Sequence, residues 1–132
     1  MNDIITPPHK IVEELKIIQS EIEIELSEEI QQAVDRGNYC SAQMARTGKL
    51  LADAKIHRDR KLNSGVVENL KRVIALPPSV ANKYIDALCH DENYLVNWCD
   101  RSNRTCTHQV EWCRTLISKA KAEYSAFGQG NQ

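Results

Sequence analysis

The residues best equipped for chemistry are the histidines, the cysteines and a run of glutamates. Asp53 and His57 stand four apart, as do Asp86 and His90, which places each pair on one face of a helix. A structural zinc site draws on two close ligand pairs, usually cysteines with roughly two to four residues between them. Cys40, Cys89, Cys99, Cys106 and Cys113 offer no such pair, and the nearest neighbours are seven apart. A di-iron bundle site needs Glu-x-x-His on two helices, and the chain has none. Cys106 and His108 are two apart and diverge by about 200° on a helix, so they are not a nucleophile with its base. There is no phosphate-cradling glycine loop and no dinucleotide fingerprint. The expectation is no catalytic residue, no metal and no cofactor.

Glu25-x-x-Glu28, followed by Glu29, resembles half of the magnesium-binding pattern of all-α nucleotide pyrophosphohydrolases. Those enzymes surround Mg²⁺ with acidic side chains one turn apart on neighbouring helices, because the ion takes several hard oxygens. The matching E-x-x-D on the next helix is absent, since residues 36–62 carry only Asp53 and Asp59 as acids. A magnesium-dependent enzyme of this kind is therefore the third reading.

These side chains sit on a pattern that predicts an all-α fold. The four prolines come as Pro7-Pro8 and Pro77-Pro78, and glycines number five. Breakers this sparse favour long helices. Thr6 and Pro7 read as the N-cap and first residue of a helix. Ile11, Leu15, Ile18, Ile22, Leu26, Ile30 and Ala33 then repeat at three and four, up to a stop at Gly37. The strand-like alternation from Glu21 to Leu26 is read as helix because the stripe continues on both sides.

A second helix is predicted over 39–62, capped by Asn38. Its larger apolar positions are Cys40, Met44, Leu51 and Leu62. Beside them Ser41, Ala45, Gly48, Ala52 and Ile56 form a seam of small residues for close packing. Asn63-Ser64-Gly65 reads as a turn. Two short helices follow, one with Val66, Val67, Leu70, Val73 and Ile74 inward, the other capped by Ser79 with Val80, Tyr84, Ile85 and Leu88 inward. The last helix runs from a cap at Asp91 to about Phe127. Its stripe is Leu95, Cys99, Ser102, Cys106, Val110, Cys113, Ile117, Ala120 and Tyr124. The expected architecture is a single domain over 1–132. It is an antiparallel, coiled-coil-like bundle of three long helices with a short helical insert, and 1–6 and 128–132 are flexible ends.

Two groups of polar residues remain. Ser102, Asn103, Thr105, His108 and Gln109 lie on or near the stripe of the last helix, and buried polar groups need partners. They are expected to form a polar core layer that sets register. Charge is segregated despite a net charge of −1. Residues 1–35 carry −7 and the remainder +6. Arg46, Lys49, Lys55, Arg58, Lys61, Arg101 and Arg104 are the candidate phosphate-tracking residues of a nucleic-acid-binding alternative. No aromatic residues are interleaved with them, as a single-strand stacking platform would require. The leading expectation is that acidic and basic helices satisfy one another along their seams.

No apolar run approaches the roughly 18 residues of a membrane span. An odd number of cysteines without a leader segment points to reduced thiols and a cytoplasmic setting. Gly48 through Lys55 (GKLLADAK) and Asn103 through Tyr124 (NRTCTHQVEWCRTLISKAKAEY) resemble small all-helical proteins of phages and prophages. The resemblance implies a mobile-element setting and action by binding. Together these features predict a non-enzymatic interaction protein that binds a protein partner and self-associates. A nucleic-acid accessory factor for replication or recombination is the alternative.

Overall fold

The computed structural model describes residues 4–130. It is all-α, with five helices: α1 (Pro8–Ile22), α2 (Ile30–Glu68), α3 (Leu70–Ala75), α4 (Pro78–Leu88) and α5 (His90–Gly130). Only α2 and α5 are long, at 39 and 41 residues.

The first helix is shorter than the stripe suggested. Pro7, not Thr6, stands at its N-cap, and the Pro7 carbonyl accepts the N–H groups of Lys10 and Ile11 at 3.0 Å. The helix ends at Ile22, and residues 23–29 form a loop. The local cause is a competing helix start. The Ser27 hydroxyl accepts the Glu29 N–H at 3.1 Å, and the Glu29 carboxylate caps the N–H groups of Gln31 and Gln32 at 3.0 and 2.8 Å. These bonds satisfy orphan donors at the start of α2. The alternation from Glu21 to Leu26 therefore marked a real interruption.

Helix α2 runs through Gly37, Asn38 and Asn63-Ser64-Gly65, all read above as boundaries. Gly37 is where α5 comes close: a Cβ there would lie 3.4 Å from the Cys113 Cβ. At Gly65 an added Cβ would meet the Leu88 Cδ1 at 3.2 Å. Ser64 bonds back to the Lys61 carbonyl at 3.1 Å, which suits a helix interior. The helix stops at Asn69, whose amide binds the Gly65 carbonyl at 2.8 Å and accepts the Tyr84 hydroxyl at 3.0 Å. Pro77 caps α4 in place of Ser79, and the extended Leu76 before it ends α3. Within α4 the buried residue is Ala81, while Val80 is exposed.

Helices α2 and α5 run antiparallel, with Gly37 against Cys113, Thr47 against Asn103 and Arg58 against Cys89. Ala33, Cys40, Thr47 and Ala54 on α2 recur every seven residues and are all buried. Cys99, Cys106 and Cys113 do the same on α5. Small side chains at these positions are what permits the close approach at Gly37. The expected seam is displaced: Ser41, Ala45 and Ala52 face solvent, and Gly48 is half-buried. Helix α1 covers the two long helices in two clusters. Ile11 and Leu15 pack with Leu50, Ala54, Leu95, Val96 and Cys99. Ile18 and Ile22 pack with Cys40 and Cys106.

Of the ends expected to be flexible, 1–3 and 131–132 lie outside the described residues. Residues 4–6 are tied to α2. Thr6 donates its N–H to Asp53 at 2.9 Å, its carbonyl meets the His57 Nε2 at 2.8 Å, and the Ile4 carbonyl accepts Lys49 at 2.6 Å. Gly128 and Gly130 lie within α5.

Candidate interaction surfaces

The candidate ligand pairs are occupied with structural work or face solvent. Asp53 is 3% exposed and accepts Lys49 at 2.6 Å as well as the Thr6 N–H. Burial raises its pKa, but these bonds outweigh burial and hold the carboxyl below its ordinary value. His57 is spent on Thr6. Asp86 and His90 are exposed, and His90 lies 3.3 Å from Asp91. Among the described residues, no three His, Cys, Asp or Glu side chains come together as a metal-binding group. Glu25 and Glu28 lie in the 23–29 loop, so they do not project one turn apart from a helix. Glu29 is the α2 cap.

The five thiols are free and buried. Burial pushes Cys40 up to about 12 and Cys99 up to about 11, and raises Cys89, Cys106 and Cys113 as well. Such thiols stay protonated near neutrality and are poor nucleophiles.

The proposed polar layer divides. Asn103 donates to the Met44 carbonyl at 2.9 Å and to the Thr47 hydroxyl at 3.0 Å. Gln109 donates to the Ile22 carbonyl at 2.9 Å and accepts Arg36 at 2.9 Å and the Cys40 thiol at 3.3 Å. These two residues tie α5 to α2 and to the end of α1. Ser102 is 2% exposed, and its hydroxyl has no partner among the described residues. Thr105 is half-buried. His108 faces solvent beside Glu111, so it is not part of the core.

The seven basic candidates do not act as one set. Arg46 grips Glu14 with two bonds of 2.7 and 2.6 Å, and Lys49 is held by Asp53 and the Ile4 carbonyl. Arg104 pairs with Asp100 and Arg58 with Asp59. Lys55, Lys61 and Arg101 are exposed. Among the described residues, the expected pairing of acidic with basic helices is made by Glu14 with Arg46 and does not extend along the rest of the acidic segment. Glu14 is paired, but among the described residues Glu21, Glu23, Glu25, Glu28 and Glu29 make no ion pair.

Three surfaces were not evident from spacing. A cavity of about 460 Å³ lies among His9, Val12, His57, Tyr94, Leu95 and Trp98, drawn from three separate segments. Tyr94 and Trp98 meet edge to face at 6.2 Å there. The end of α2 and the insert after it expose Val67, Leu70, Ile74 and Val80, and α3 buries none of its residues. By the pairing of α2 with α5, the first residue of α2 falls near residue 120 of α5. Beyond it the α5 stripe continues uncovered, with Tyr124 80% and Phe127 72% exposed.

No described helix is long and apolar enough to cross a membrane. Compared with known proteins, the chain matches no family model, no curated protein and no solved structure.

Proposed function

We propose that this chain is a non-enzymatic interaction protein that binds a protein partner and associates with itself. In this reading α1, α2 and α5 form an antiparallel, coiled-coil-like bundle that acts as a rod, and its ends do the binding. The observation that carries the reading is the projecting tip of α5. Ile117, Ala120, Tyr124 and Phe127 recur at three and four, as the core positions do, yet the last two lie open. An apolar stripe at core spacing without a covering helix is a surface suited to an amphipathic helix of another protein. The buried, protonated thiols and the structurally engaged Asp53 and His57 add support, since they leave no assembled nucleophile and base among the described residues. The resemblance to phage and prophage proteins supports a mobile-element setting in a host cytoplasm.

The test compares proteins captured by the wild type and by Tyr124→Asp/Phe127→Asp. Both positions are exposed, so the variant keeps its helix content. A partner lost on that variant alone supports the reading, and identical capture by both forms contradicts it. The nucleic-acid alternative is less well supported, because Arg46 and Lys49 are consumed by Glu14 and Asp53.

A further inference from the structure

Near each end of the rod a charged patch lies beside exposed apolar residues. At one end, the kink between α2 and α3 opens a cavity of about 460 Å³ lined by Val67, Glu68, Asn69, Leu70, Lys71 and Arg72, in which the two cations outnumber the one acid. Val67 is 75% exposed and Ile74 is 74% exposed. Among the described residues, Lys71, Arg72 and Lys83 make no ion pair. At the other end lies the 23–29 loop with Glu21, Glu23, Glu25, Glu28 and Glu29. Ile24 within it and Ile30 just after it are exposed.

These patches cannot meet within one chain. Helix α2 separates them, and at 1.5 Å per residue it holds them about 55 Å apart. We infer that the apolar, basic face around the α2–α3 kink docks the acidic 23–29 loop of a second copy, so that copies join head to tail. This inference rests on reading the chain as self-associating, and it names the surfaces involved. Ile24 and Ile30 supply the apolar contact for Leu70 and Ile74, and the glutamates face Lys71 and Arg72. The exposed apolar residues of both surfaces favour burial, and the like charges of the loop repel one another until an opposite charge lies beside them. Opposed patches of this kind fix which surfaces meet and in which orientation. A heterologous contact repeats, so association continues into chains or closes into rings.

Sedimentation of the intact protein tests this with two variants. Lys71→Glu/Arg72→Glu makes the basic face acidic. Glu23→Lys/Glu25→Lys/Glu28→Lys makes the loop basic. All five positions are exposed, and circular dichroism checks that the helices persist. The wild type associates, and raising salt weakens it. Each variant alone loses association by about tenfold or more, since both of its ends then carry the same sign. An equimolar mixture of the two variants regains it, because each acidic face now finds a basic loop. Variants that associate like the wild type overturn the inference while leaving self-association through another surface intact. Loss without rescue in the mixture also overturns it. A wild type that remains a 15.0 kDa monomer overturns both the inference and the self-association on which it rests.

Discussion

The Asp53 carboxylate on α2 accepts the backbone N–H of Thr6 at 2.9 Å, across 47 residues of sequence. With Lys49 on the Ile4 carbonyl and His57 on that of Thr6, it straps the segment before α1 onto α2. The strap fixes the direction from which α1 enters the core.

Replacing Asp53 with alanine releases the strap and leaves a half-buried N–H without its acceptor. The expected cost is about 1–3 kcal/mol, read by urea denaturation. Proteolysis near residues 4–7 should quicken in the same variant. Unchanged stability would show that the strap is incidental.

The same carboxylate makes stability depend on acid. Its folded pKa lies below the ordinary value of 3.8. Its contribution is therefore fully present above the unfolded pKa and is lost as pH falls through the folded one. Asp53→Asn should lower stability at neutral pH and flatten its decline below about pH 4. A decline as steep as that of the wild type would rule this out.

The glycines on α2 should respond differently. At Gly48 an added Cβ approaches only the Asn103 Nδ2, at 3.9 Å. Gly48→Ala should stabilise by about 0.5–1 kcal/mol through helix propensity. Gly37→Leu forces a branched side chain onto Cys113 and should cost about 1–3 kcal/mol. Thermal melts separate the two, and similar shifts at both sites would contradict the packing described.

Within the polar layer, Asn103→Ala leaves the Met44 carbonyl and the Thr47 hydroxyl without their donor. It should cost about 1–2 kcal/mol. His108→Ala should fall within about 0.5 kcal/mol of the wild type. Equal effects would mean that the layer has been divided wrongly.

Much of the fold was legible because a core seam repeats at three and four whatever covers it. The heptad of Cys99, Cys106 and Cys113 stands out for that reason. The break at residues 23–29 was hidden because Ile22, Leu26 and Ile30 keep helical spacing across it, while Ser27 and Glu29 start a new helix. Gly37 and Gly65 were read as stops because a residue without Cβ suits a helix end and a close helix contact equally. Only the position of Cys113 or Leu88 tells these apart. Less of the site was legible. Asn103 and Gln109 could be placed near the core from their helix position. The partners Thr6 and Asp53, and the wall shared by His9, His57 and Trp98, come from distant segments with no common spacing. The open ends depend on where α2 begins relative to α5, which no local pattern encodes.

The central claim is that binding happens at the ends of the rod and not along its flank. A photo-crosslinking side chain at Tyr124, at Leu70 or at Asn97 on the flank of α5 tests it directly in the expressing cell. The account predicts discrete adducts from Tyr124 and Leu70 and none from Asn97. Adducts from Asn97 with none from either end would contradict it.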